Sequence, residues 1–326
     1  MGKISNLYQT FFSSREKDKD EVFILDYIQK AIQSGSLAFD ANVAKQYINN
    51  PQFIEQKIID YILNMEKIHL DMEFLSIYRE QMNATSVSYE ENNAIILDEL
   101  LTYTALSFFL TVFSLAYDSG MENFSRCIKN CFVLLDLQGQ KHKIGVHSPN
   151  DIELMISLPT NIINLAMDSF WAVWTFMIGH ELYHLTAKKH KTSGIQEELS
   201  ADSYGYKILI KMIESQKMMN IPEQIKIFYE EYYLAPIMLF EYFRFLDHYR
   251  SLCGEKVLYI DYPSPQQRQE HIFSLFDDYV PDTFDTTTGN EILNLFLDTT
   301  DLLLEQISLK KERGKLDFPI FLSDEY

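Results

Sequence analysis

The residues of this chain best suited by type and spacing to do chemistry lie in the run His180-Glu181-Leu182-Tyr183-His184. In an α-helix, residues four apart sit on one face, one turn above each other. His180 and His184 can therefore grip a single metal ion. Glu181 is the next residue round from His180, so it can reach a water on that ion without ligating the ion itself. The expected helix starts near Asp168-Ser169 and continues through Phe170, Trp171, Val173, Trp174, Phe176, Met177 and Ile178. It is apolar nearly all round, which predicts a buried helix. Three polar groups on such a helix need a shared use, because burying them singly is unfavourable.

A hydrolytic site of this kind needs a third protein ligand and leaves a fourth position to water. Downstream stand Ser193-Gly194-Ile195-Gln196-Glu197-Glu198-Leu199-Ser200-Ala201-Asp202. Ser193 with Gln196 reads as a capping box, so a second helix is expected to begin there. Glu198 and Asp202 then share a face. Glu198 can offer a carboxylate oxygen to the metal, and Asp202 can accept the other ring N–H of a histidine ligand, fixing its tautomer. Ala201 and Gly205 carry little or no side chain, which lets this helix come near the first. Two other third ligands stay open: the neighbouring Glu197, and His190, ten residues after His180. The His190 arrangement needs a sharp turn at Ala187, where a positive φ is unfavourable for alanine.

His-Glu-x-x-His followed by Glu-x-x-x-Asp on the next helix resembles the gluzincin zinc metallopeptidases. The form Glu198-Leu199-Ser200-Ala201-Asp202 is most similar to the branch containing CaaX-processing proteases and their soluble minigluzincin relatives. Tyr262-Pro263-Ser264-Pro265 with Arg268 is similar to that branch's His-Pro segment and nearby Arg, with Tyr262 where the family usually has His. Asn92-Asn93-Ala94 is similar to the family's Asn-Ala edge strand. The likeness spans about residues 90–275, whereas the His190 scheme has the ligand spacing of metzincins. What the gluzincin resemblance implies is Zn2+ on His180, His184 and Glu198, Glu181 as general base, and a polypeptide substrate cleaved at a peptide bond. Tyr262 becomes a candidate for holding the oxyanion. The alternative is a zinc-binding regulatory or sensor module with little turnover, against which the intact Glu181 speaks.

These residues need a scaffold, and the pattern along the chain predicts a mainly α protein with a small β-sheet (α+β), a zincin-like metallopeptidase core with a helical N-terminal extension. Helices are expected at residues 21–33 and behind Asn50-Pro51, where Phe53, Ile54, Ile58, Ile59, Ile62 and Met65 form one apolar face. Residues 100–117 carry no charge but several hydroxyls, and Glu99 and Asp118 flank them. That reads as a buried core helix and argues against membrane association. A further helix is expected at residues 223–249, kinked or interrupted at Pro236. The last, at residues 290–311, follows a loop at residues 286–289. Strands are expected at residues 94–97, 131–137 and 154–158, with a turn around Gly139. The organisation read from this is a helical region over residues 1–85, the zinc metallopeptidase core over 86–275, and a C-terminal helix and tail over 276–326.

Composition narrows the class. The 326 residues are 47% hydrophobic and 23% charged, enough to bury a core without cross-links. An odd and sparse set of cysteines, Cys127, Cys131 and Cys253, fits a reducing compartment. Cys127 and Cys131 share a helix face and read as buried thiols. Acidic residues at positions 16–21 replace any apolar leader core, and a cytoplasmic location is expected. The net charge of −19 argues against a nucleic-acid partner. It fits a solvated acidic surface, and such a field also steers basic polypeptides.

Overall fold

The computed structural model describes residues 53–77, 83–89, 92–120, 123–127, 158–187, 194–218, 230–252, 254 and 257–312. Its elements run α1 (Phe53–Met65), β1 (Met72–Ile77), β2 (Ala84–Tyr89), β3 (Asn92–Asp98), α2 (Glu99–Tyr117), α3 (Thr160–Thr186) and α4 (Ile195–Met218). A 3-10 turn (Glu230–Leu234) then leads into α5 (Ala235–Leu252), followed by α6 (Pro265–Ser274), α7 (Phe276–Tyr279) and α8 (Thr286–Glu312). This is the expected α+β class: among the described residues it is mainly helical, with a three-stranded mixed sheet. The expected helix at 21–33, the strand at 131–137, all of the strand expected at 154–158 except Leu158 (a bend), and Gly139, Cys131 and Cys253 lie outside the described residues.

β3 is the middle strand, pairing parallel with β1 and antiparallel with β2. The resemblance suggested an edge position for Asn93-Ala94, and the structure corrects this. With a neighbour on both sides, every residue from Asn93 to Asp98 is buried. Side chains alternate along it as strand geometry demands. Ile95 and Leu97 enter the main core with Met72 and Phe74, while Ala94 and Ile96 join Leu75 in a small cluster on the opposite face. Strand β1 comes from the stretch read as a helical region, and β2 straddles its boundary with the core at residue 85. They escaped notice because Ser, Thr and Glu interrupt their apolar residues.

α3 occupies the centre of the core, as its all-round apolarity requires. Phe170, Ala172, Val173, Trp174, Phe176 and Ile178 are all buried. Phe74 of the sheet packs against Trp174, and Phe240 of α5 meets Phe176 edge to face. α2 supplies Phe108, Phe109 and Phe113, all of which pack on Phe296 of α8. Thr104, Ser107, Thr111 and Ser114 of α2 are buried too, and some bond within the helix: Thr111 Oγ1 donates to the Ser107 carbonyl at 2.8 Å. Tyr242 of α5 donates to Thr104 Oγ1 at 2.6 Å. Among the described residues one helix, α3, is long and apolar enough to cross a membrane by length and composition, and most of it is buried by the rest of the chain.

Three expected boundaries shift, each for a local reason. α3 begins at Thr160, not near Asp168, because Ile162 and Ala166 already reach the core. At Pro236 the expected helix is interrupted and not kinked: a 3-10 turn ends at Leu234 and α5 begins at Ala235, so Pro236 lies in its first turn, where its missing N–H leaves no bond unmade. Residues 286–289 are helix, not loop. The Asp285 carboxylate accepts the Thr288 N–H at 3.1 Å and the Thr288 hydroxyl at 2.6 Å, capping α8.

The contact that positions the site is between α3 and α4. A Cβ on Gly205 would lie 2.6 Å from the Phe176 carbonyl oxygen and 3.0 Å from the His180 nitrogen. On the facing side, a Cβ on Gly179 would lie 2.8 Å from the Gly205 Cα. Only a pair of glycines allows the backbones to touch in this way. Alanine is ordinarily the better helix former by about 0.5–1 kcal/mol. Gly205→Ala should instead destabilise the protein, by about 1–3 kcal/mol from overpacking, as read by urea denaturation. A variant as stable as the parent would show that the two helices separate freely.

A second expectation concerns Asp168. Burial, then repulsion from Glu231, pushes its carboxyl from 3.8 up to about 7, although Tyr232 donates a hydrogen bond to it. A raised folded-state pKa means that the unfolded chain ionises first. This contribution is therefore fully present below about pH 4 and is lost as pH rises through about 7. Asp168→Asn should remove that slope and be more stable than the parent at about pH 8 in urea denaturation. An unchanged pH profile would remove Asp168 as its source.

Candidate metal centre

α3 and α4 bring His180, His184 and Glu198 together, and one ligand atom from each lies within 4.8 Å of the others. The two histidine Nε2 atoms are 3.2 Å apart. Glu198 presents Oε2 3.4 Å from His180 Nε2 and Oε1 3.7 Å from His184 Nε2. A tetrahedral cation with bonds of about 2.0–2.1 Å sets its ligand atoms about 3.3–3.4 Å apart. The three donors therefore fit such an ion. The cluster also draws positive charge by itself. Burial lowers the affinity of His180 for a proton, but hydrogen bonds to Asp202 and Glu198 outweigh burial and lift its pKa to about 9. Burial raises the Glu198 carboxyl, yet His180 and Arg268 more than offset this and hold it low.

Behind His180 stands Asp202, fully buried. It accepts the His180 Nδ1–H at 2.9 Å, so the proton a metal would displace is the one on Nε2, whose lone pair then faces the cluster. A buried carboxylate needs a counter-charge. Arg268 supplies it through two hydrogen bonds, Nε to Oδ2 at 2.7 Å and Nη2 to Oδ1. Burial alone would raise the Asp202 pKa, and Arg268 holds it at about 2. The guanidinium also lies 4.4 Å from the centre of the Phe240 ring.

Arg268 reaches this place because α6 is tightly begun and doubly anchored. Ser264 and Gln267 form a reciprocal capping box, with Pro265 in the first turn. His271 Nε2 donates to the Leu199 carbonyl of α4 at 2.9 Å and lies 2.7 Å from Ser203 Oγ. Gln269 donates to the Ile237 carbonyl and to Glu241 of α5, both at 3.2 Å. The sequence pointed to Arg268 by resemblance alone and assigned it no contact. Its partner lies 66 residues away, so no local spacing could reveal the pair.

The remaining expected residues fall as follows. Glu181 is buried beside the cluster and accepts no hydrogen bond from the described residues. Glu197, read as an alternative ligand, lies on the far side of His184. Its Oε1 is 3.4 Å from His184 Nδ1, so both histidines present Nε2 to the cluster and Nδ1 to a carboxylate. Consecutive helix residues point about 100° apart, which is why Glu198 faces inward while Glu197 stays at the rim, 38% exposed. Tyr262 is 62% exposed and hydrogen-bonds none of these groups. His190 and Ser193 lie outside the described residues. At the start of α4 the Glu197 and Glu198 N–H groups bond to the carbonyl of Gly194.

Asp202→Asn should weaken divalent transition-metal binding by about 10- to 100-fold, the usual size of losing a ligand's supporting group. Glu197→Gln should lose less, since its carboxylate is longer-ranged and wetter. Competition with a chromophoric chelator measures both. Unchanged affinity in Asp202→Asn would detach that carboxylate from the centre.

No family model matches this chain, and neither a curated protein nor a solved structure matches it.

Proposed function

We propose that this protein is a zinc-dependent peptidase of the gluzincin type, with a zincin-like core, that hydrolyses peptide bonds in a polypeptide substrate. The observation that carries this reading is the convergence of His180, His184 and Glu198, with Glu181 buried on the helix that carries the two histidines. Two imidazoles and one carboxylate, with a fourth position left open, are a donor set typical of hydrolytic zinc. Zinc bound there would supply Lewis acidity, making water a nucleophile at neutral pH and polarising the scissile carbonyl.

This chain's own residues supply the rest. Glu181 accepts the proton of the attacking water and returns it to the leaving amine. It is buried, and its carboxylate accepts no competing hydrogen bond from the described residues. Asp202 holds His180 in the Nδ1–H tautomer, and Arg268 keeps Asp202 ionised so that it can do so. Glu197 performs the corresponding service for His184. The arrangement is rigid, because every one of these groups sits on a helix packed into the core.

Metal content of the purified protein, with cleavage of an unbiased peptide library, tests the proposal. Glu181→Gln should keep stoichiometric zinc and lose turnover by about 10²- to 10⁴-fold, the range for a general base. Glu198→Ala should release zinc during dialysis against chelator, while His190→Ala retains it. Near-normal turnover by Glu181→Gln would overturn the role of that residue. Zinc lost from His190→Ala but kept by Glu198→Ala would overturn the ligand set. A zinc-loaded protein that cleaves nothing would leave the regulatory-module reading in its place.

A further inference from the structure

Nine large apolar side chains are exposed among the described residues, and five of them, Ile195, Leu258, Tyr259, Ile260 and Tyr262, come from two short segments. Those segments meet beside the candidate centre. Gly194 adopts a left-handed φ of 71°, and a Cβ there would lie 3.3 Å from the Asp261 carbonyl oxygen. The Gly194 carbonyl in turn accepts the N–H of Glu198 at 3.2 Å. The contact is thus one helical turn from a proposed ligand. At its other end the segment runs through Pro263 into α6, which carries Arg268. Midway, the Tyr259 hydroxyl donates to the Asp247 carboxylate of α5.

The segment is therefore tied to α4, α5 and α6, and still holds Leu258 59%, Tyr262 62% and Ile260 76% exposed. Apolar side chains kept in water on a tethered segment mark a binding surface. We infer that residues 258–262, with Ile195, form an apolar lip of the candidate site that receives bulky apolar side chains of an extended polypeptide substrate. The inference rests on the peptidase reading for the word substrate, but not for the binding itself. Continuity with the ligand cluster selects a chain threading past Glu198. The net charge of −19 opposes both an anionic lipid surface and a second copy of this protein.

The test uses the full-length Glu181→Gln protein, so that binding is read without cleavage. Two fluorescein-labelled synthetic peptides are compared by anisotropy, one containing Leu and Phe and the other with Ser at those positions. The apolar peptide should bind at least about tenfold more tightly. Adding Leu258→Ser and Ile260→Ser should abolish that preference while zinc stoichiometry stays at the parental value. Ile260→Ser alone, at the most exposed position, should show a partial loss and serves if the double variant folds poorly. Equal binding of the two peptides, or an unchanged preference in the Ser variants, would overturn the lip. So would a dimer in sedimentation equilibrium that the Ser variants dissociate. Co-sedimentation with phosphatidylcholine–phosphatidylglycerol vesicles that the Ser variants abolish would overturn it as well. A preference that persists in a protein without zinc or cleavage would sink the peptidase reading and leave the lip standing.

Discussion

The convergence of His180, His184 and Glu198 depends on how near the backbones of α3 and α4 come to each other. Glutamate and histidine side chains have limited reach, and a metal ion demands donor atoms within a few ångströms of one another. Between these helices the two glycines, Gly179 and Gly205, leave no side chain in the way, so the Cα of one helix lies against the backbone of the other. Gly205 faces the His180 nitrogen and sits one turn beyond Ala201. The small residues of α4 and its carboxylates are thus interleaved on neighbouring faces of one helix. Ala201 and Asp202 are both fully buried against α3.

That close packing creates an electrostatic problem which α6 solves. Asp202 is carried into the interior by α4, where an unpaired carboxylate would be strongly unfavourable. Its two oxygens are satisfied from different directions, by His180 from α3 and by Arg268 from α6. Arg268 is held in turn by the capped start of α6, by the face of Phe240, and by the anchors that Gln269 and His271 make to α5 and α4. Four helices therefore share the positioning of one imidazole. The opposite partner of the pair, Glu197 behind His184, lies at the rim and is more exposed, so the two histidines are held with unequal firmness.

Much of the centre was legible in the sequence because it is local. A separation of four residues on a helix fixes a shared face whatever surrounds it, and both His180/His184 and Glu198/Asp202 are such pairs. The all-round apolarity of residues 170–178 and the uncharged run of α2 announced buried helices for the same reason: burial leaves its record in each element's own composition. The apolar face of α1 and the mainly helical class followed from periodicity alone.

Tertiary structure decided what depends on partners far along the chain. β1 and β2 are half-polar strands that exist because β3 offers both its edges, and β3 is central for the same reason. Which of two adjacent glutamates enters the cluster turns on how α4 is rotated against α3, and a rotation of one residue would exchange Glu197 and Glu198. The pairing of Arg268 with Asp202 requires α6 to be folded back over α4. Boundaries at Thr160, Pro236 and Thr286 were set by contacts or caps that hydrophobic spacing does not record. Helical periodicity encodes the face on which a side chain sits, and only packing determines what that face meets.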